Sequence, residues 1–344
     1  MSRMDELLQQ QEEIVAAIKI EYARGIEAAA KGEADAQYNL GVLHYKGQGV
    51  KQDYQEAMRL FKAAAAQQNM DAQLNLGLMF YQGQGGQQDY VEAMRWYVLA
   101  AAADCAEAQQ SKIGFMYDRG QGVKQDYLEA IRWYKLATKK LNSEAYFGLG
   151  YMYENHHGVE QDDAEAVRWY KLAAAQGHAD AHFRIGVLYN DGNTIKQDYA
   201  EAMRWYTLVA VKGHVDAQIN LGVMYDRGWG VEPNFLEAMR WYKLAAAQGS
   251  ANAESKVAFM YGNGKGVKQN HAEEIRWYLL AAAQDYAPAL SNLGFIYENG
   301  RGVEEDDAKA LNFYSKAAKK GDVNAIKNKE LLEARVAKQQ SGKH

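Results

Sequence analysis

The chain has 344 residues, 48% hydrophobic and 24% charged, with 31 Gly but only 2 Pro and 1 Cys. That apolar share excludes a disordered chain, and the single Cys105 excludes a disulfide framework or a Cys-rich zinc site. The 39 basic and 44 acidic residues leave no positive footprint for nucleic acid.

In chain order, residues 1–32 read as an N-terminal capping helix and a degenerate half-repeat stopping at Gly32. An internal period then takes over. Asn39-Leu40-Gly41-Val42-Leu43-His44 returns as Asn75-Leu76-Gly77-Leu78-Met79-Phe80, and the glycine position recurs at Gly114, Gly150, Gly186, Gly222, Ala258 and Gly294. Every step is 36 residues except that from Gly77 to Gly114, which is 37. Two more markers keep phase: an aromatic or apolar position (Leu60, Trp96, Trp133, Trp169, Trp205, Trp241, Trp277, Phe313) and an Asp or Asn (Asp53, Asp89, Asp126, Asp162, Asp198, Asn234, Asn270, Asp306). Residues 33–321 therefore hold eight units, and 322–344 form a C-terminal capping helix and tail, with Glu330 where glycine is due.

Each unit reads as two helices. The first carries an inward stripe such as Ala72, Leu76, Met79 and Phe80. It stops at Gly83-Gln84-Gly85, where glycine permits a positive φ. The second opens with Asp89 and Glu92, the spacing of a capping box. It then points Ala93, Trp96, Tyr97 and Ala100 inward, so both aromatics of Arg-Trp-Tyr are expected in the core. Pro288 falls in a first helical turn and Pro233 just before a cap. The extra residue of the third unit is expected as a bulge or register shift between Ala108 and Gly114. One helix pair cannot bury its own apolar face, whereas stacked pairs can, which makes an all-α solenoid.

The run from Ala217 through Ala246 contains Ala-x-x-x-Leu-Gly-x-x-Tyr, Gly-x-Gly-Val, Asn-x-x-Glu-Ala and Trp-Tyr-x-x-Ala-Ala. By these motifs the units resemble the Sel-1-like repeats, relatives of the tetratricopeptide repeats, over about residues 33–321. The resemblance implies a right-handed superhelix whose first helices line a concave face, and adaptor or scaffold roles, mostly in bacteria. Some relatives carry a disulfide per repeat; this chain lacks those cysteines.

Candidate chemistry is sparse. His178 and His182 share a helical i, i+4 spacing. A helix from about 143 to 155 keeps His156 and His157 roughly 18 Å away from them, so all four read as turn and surface residues and no metal is expected. Cys105 has no matched base, no Ser-x-x-Lys pair occurs, and no Gly-Lys-[Ser/Thr] follows the paired glycines. The expectation is a non-enzymatic chain without cofactor.

Two features remain for binding. A polar row on the first helices reads Asn39, Asn75, Gly148, Arg184, Asn220, Lys256 and Asn292. Beside it an apolar row reads Val42, Leu78, Phe115, Tyr151, Val187, Val223, Phe259 and Phe295. Together they suit a peptide, with amides on its backbone and Tyr151-like rings on its side chains, unless the apolar row packs on the adjacent unit. Trp229 is the one tryptophan outside the repeat phase, either a binding anchor or a ring folded over a neighbouring loop.

The reading is a scaffold that binds another protein or peptide along the concave face, with no nucleic acid and no membrane span, as a monomer or weak oligomer. The alternative is a bacterial immunity or regulatory protein that occludes a toxin or other enzyme. No apolar run reaches the ~18 residues that span a bilayer, and the start lacks a signal peptide's apolar stretch. A cytoplasmic place is expected, or a periplasmic one if a leader was removed.

Overall fold

The computed structural model describes residues 22–102, 107–193 and 195–341, and every regular element among them is helical. The chain divides into two compact units, Met1–His178 and Ala179–His344. In the first, a helix over residues 22–30 (α1) precedes four pairs. These are α2 (Ala34–Lys46) with α3 (Tyr54–Ala66), α4 (Met70–Gln82) with α5 (Tyr90–Ala101), α6 (Glu107–Arg119) with α7 (Tyr127–Ala137), and α8 (Ser143–Glu154) with α9 (Asp163–Ala175). The second unit holds α10 (Ala179–Asp191) with α11 (Tyr199–Ala210), α12 (Val215–Arg227) with α13 (Phe235–Ala246), α14 (Ala251–Asn263) with α15 (His271–Ala283), and α16 (Ala287–Glu298) with α17 (Asp307–Lys319). A last helix, α18 (Val323–Ser341), follows. The all-α solenoid of eight helix-turn-helix repeats is thus the observed architecture.

Local chemistry sets each turn. Gly83 ends α4 at φ +71°, and its N–H donates to the Met79 carbonyl. Gly85 lies against the preceding repeat. A Cβ there would sit 2.6 Å from the Tyr54 carbonyl oxygen, so only glycine lets the loop rest in that place. The carboxylate of Asp89 accepts from the N–H groups of Val91 and Glu92, as a cap should.

The other half of the expected capping box is not the observed partner. The N–H of Asp89 donates to the Phe80 carbonyl at 2.9 Å, and the same bond recurs from Asp53 to His44 and from Asn234 to Tyr225. With that N–H bound to the first helix, Glu92 pairs instead with Arg95 at 2.5 Å. Glu201 does likewise with Arg204, and it also accepts from the Trp205 indole at 2.9 Å. Gln88 completes the turn by donating to the Tyr81 carbonyl at 2.7 Å, covering a first-helix carbonyl without an intrahelical partner.

The core of a repeat is a tyrosine against a glycine. Tyr97, Tyr170, Tyr206, Tyr242 and Tyr314 are each at most 2% exposed. A Cβ on Gly77 would lie 2.5 Å from the Tyr97 ring, and one on Gly222 would meet Tyr242 as closely. The tryptophans are shallower than expected. Trp96, Trp133, Trp169, Trp205 and Trp277 are half-buried, and only Trp241 is buried. Their rings seal the junction between repeats: Trp96 packs on the cluster that Phe61 of the repeat before it forms with Leu76 of its own, and Trp133 on the cluster of Tyr97 with Ile113.

A second correction concerns the third repeat. α6 is unbroken α-helix, and Gly114 is its eighth residue, as Gly77 is in α4. No bulge lies between Ala108 and Gly114. Pro288 sits in the first turn of α16, as expected.

Burial holds the phenols of Tyr97, Tyr134, Tyr206, Tyr242 and Tyr278 protonated well above their ordinary range. Because the folded pKa is the higher one, their contribution is complete below the unfolded value of about 10 and falls as pH rises above it. Absorbance titration should therefore show a class of tyrosines that ionises only with loss of helix. Independent, reversible titration of all phenols near pH 10 would contradict their placement. Tyr206→Ala should cost about 3–5 kcal/mol and Trp205→Ala roughly half of that in denaturant unfolding; equal costs would contradict the different depths.

Candidate functional site

The first helices hold both expected rows, and the fold treats their members unequally. In the first unit Asn39 is exposed, but Asn75 is half-buried and donates to the Asp71 carbonyl at 2.9 Å. Gly148 is buried, and a Cβ there would meet the Tyr134 ring at 2.5 Å, so its slot is packing rather than polar surface. In the second unit Arg184 and Asn220 are half-buried, and Asn220 hydrogen-bonds the Tyr206 phenol, partly countering the rise that burial imposes. Lys256 and Asn292 are exposed.

The apolar row divides the same way. Val42, Phe115, Tyr151, Val187 and Val223 pack against core clusters. Tyr151 is further enclosed, with Arg119 5.5 Å from its ring centroid and His157 edge-on at 5.4 Å. Phe259 and Phe295 differ: they are 45% and 46% exposed. Exposed Lys256 and Phe259 on α14, and Asn292 and Phe295 on α16, thus form two successive polar–apolar pairs in the second unit.

The loop position that holds Trp229 proves to be a contact point between repeats. Its occupant reaches back to the preceding repeat: Gln121 accepts from the Tyr81 hydroxyl at 3.0 Å, His157 faces Asp118 at 3.3 Å, and Lys265 pairs with Asp226 at 2.8 Å. Trp229 does the same by stacking on Tyr199, with centroids 5.3 Å apart and planes 13° from parallel. It remains 37% exposed.

A buried charge cluster escaped the sequence reading. Glu274 is 3% exposed and faces His271 at 2.7 Å and Arg301 at 3.2 Å, while the Arg301 guanidinium also donates to the Gly262 carbonyl. Its signal was present: Glu274 stands where other repeats have Ala, and Gly262 stands where they have Tyr, Asp, Asn or Glu. A Cβ at position 262 would clash with the Glu274 carboxylate, so the two departures are one.

The histidines go to separate partners. His178 stacks on Phe147 at 4.5 Å, and its position beside Glu144 holds that carboxyl below its usual range. His182 meets Trp205 at 5.6 Å, and His156 accepts from the Gln161 N–H. Among the described residues no three His, Cys, Asp or Glu side chains come together as a metal site. Cys105 lies outside the described residues.

A model of the Sel1 repeat matches the chain eight times, at residues 34–69, 71–105, 110–140, 143–178, 179–214, 215–250, 251–286 and 287–322. Among solved structures, a protective antigen of uropathogenic Escherichia coli strains with an SLR fold is 30% identical. The match covers 91% of this chain and 67% of that one, with a TM-score of 0.78. A Sel1 repeat protein from Oxalobacter formigenes is 29% identical over 90% of this chain and 89% of its own, with a TM-score of 0.67. No curated protein matches the sequence. Among the described residues no helix is long and apolar enough to cross a membrane.

The loop contacts separate two residues of the same slot. Arg301→Ala leaves a buried carboxylate with one fewer partner and should cost about 1.5–3 kcal/mol. Trp229→Ala removes a half-exposed stack worth about 0.5–1.5 kcal/mol. Thermal unfolding of both variants checks the order, and a larger loss for Trp229→Ala would contradict it.

Proposed function

This chain belongs to the Sel1 repeat family, and on that premise we propose that it is a non-catalytic scaffold that binds another protein through the face formed by its first helices. Repeats of this family generally mediate protein–protein interaction. The observation that carries the reading is the pair of exposed rings, Phe259 and Phe295, beside exposed Lys256 and Asn292. The equivalent ring Tyr151 and the equivalent valines are used for packing. Within that row these two phenylalanines gain from being covered, since burying the remaining half of each ring contributes about 1–2 kcal/mol.

In the second unit the polar row contributes through Lys256 and Asn292, whose side chains are exposed; Asn39 is exposed in the first unit. Asn75 and Asn220 act mainly within the fold, through their bonds to Asp71 and Tyr206. Arg184, in the second unit, and Tyr151, in the first, are half-buried members of their rows. Trp229, 37% exposed, offers a second, loop-borne contact.

Partner capture from the native cell, followed by binding measurements with the captured protein, tests this. Changing Phe259 and Phe295 together to Ala should weaken binding at least tenfold while leaving the melting temperature within a few degrees. Unchanged affinity would refute the assignment. A captured enzyme that loses activity in the complex would place the chain among occluding proteins rather than scaffolds.

A further inference from the structure

α18 is a first helix without the turn that follows every other first helix. It opens at Val323, 36 residues after Ala287, where α16 opens. Ala325 and Leu332 are fully buried in one cluster with Tyr314 and Ala317 of α17, in the slots of Ala289 and Ile296. The helix then runs straight on for 19 residues, against 12 in α16, and carries Val336 where Gly300 makes the turn. Leu331 is left 60% exposed.

α1 is the converse, a second helix in register. Ala28 and Ala29 occupy the slots of Ala64 and Ala65, and Gly32 at φ +90° that of Gln68 at φ +65°. Ala29 packs with Leu40 and Leu60. Beside α1 lies a cavity of about 790 Å³ whose walls include Gly25, Ala28, Leu40 and Leu43. One repeat later the matching wall, Leu76 and Met79, is covered by Val42 and Phe61. In α18 the slot of Val42 holds the exposed Leu331.

The two half-repeats are also complementary in size. Elsewhere the first helix carries glycine and the second a ring, as in Gly77 against Tyr97. Here Glu330 stands in the glycine slot of α18, and Gly25 in the ring slot of α1, where no atom of the described residues lies within 4 Å of the place of its Cβ. Bulk and notch have changed sides. Arg24, in the tryptophan slot, adds a cation next to the position Glu330 would take.

We propose that α18 of one copy docks in the cavity beside α1 of a second copy, so that the two halves make one composite repeat and copies join head to tail. Leu331 then covers Leu40 and Leu43, and Glu330 lies over Gly25. Such a contact is heterologous, so association grows with concentration or closes into a ring.

Sedimentation of the full chain over a wide concentration range tests this. The average mass should rise above the 38.6 kDa of one chain. Leu331→Asp and, separately, Gly25→Tyr should hold it at one chain, with melting temperatures close to that of the parent. Mixing Gly25→Cys and Leu331→Cys chains, both carrying Cys105→Ser, should give a cross-linked pair with a short bis-maleimide that neither gives alone. A mass that stays at one chain overturns the proposal and leaves the cavity to another occupant. Association undiminished in both variants, or a mixture that fails to cross-link, overturns it as well.

Discussion

In every repeat but the seventh, an aromatic ring of the second helix (Phe61 in the first, a tyrosine in the rest) occupies the space where the first helix would carry a side chain. Glycine in a helix costs about 1 kcal/mol relative to alanine. Burying a tyrosine removes on the order of 200 Å² from water, worth at most about 5 kcal/mol. The exchange favours the glycine, provided the ring reaches it, and rings such as Tyr170 and Tyr206 do. Close approach also brings the first helix's last carbonyls within reach of the next cap's N–H, as in Asp89 to Phe80. The glycine therefore lets the ring seat, while the cap bond forms even where Ala258 replaces it, from Asn270 to Tyr261.

That constraint explains why one repeat could be rebuilt without loss of register. In the seventh, Ala258 replaces the glycine, Glu274 replaces the usual alanine of the second helix, and Gly262 opens room for it. A buried carboxylate is costly alone, so His271 and, from the next repeat, Arg301 come to it. The change spreads to the neighbouring repeat and stops there, as expected where stability is a sum of nearest-neighbour terms.

Most of the architecture was legible because its causes are local. Period, glycine turns and Asp caps are written in residues that act within a few positions of themselves. The capping box misled because its second bond competes with a contact 9 residues back, from Asp89 to Phe80, that no local motif announces. The tryptophans misled for a similar reason. Apolar periodicity says that Trp96 and Tyr97 are both buried, but not that Tyr97 seats fully against Gly77 while Trp96 stays half-buried at the edge of a junction cluster. For the expected binding rows, periodicity identified a helix face but not depth: Asn75 and Asn39 share a slot, and only the second is exposed.

Depth matters because a repeat array offers two kinds of departure from its own pattern. Glu274 departs from alanine, but a matching departure at Gly262 absorbs it, and Lys265 departs from glutamine but meets Asp226. Such paired changes are accounted for by folding. Phe259 and Phe295 differ from the other members of their row, Phe115 and Tyr151 among them, in that nearly half of each ring stays exposed. Lys265 sits 5.7 Å from the Phe259 ring centroid, yet both rings keep nearly half of their surface exposed. In a solenoid whose core terms are met between adjacent units, an apolar residue left over after those terms are satisfied stabilises little inside the chain. Its contribution has to come from contact with another molecule, which is why the proposed binding face is centred on these two positions rather than on the more polar Asn75 or Asn220.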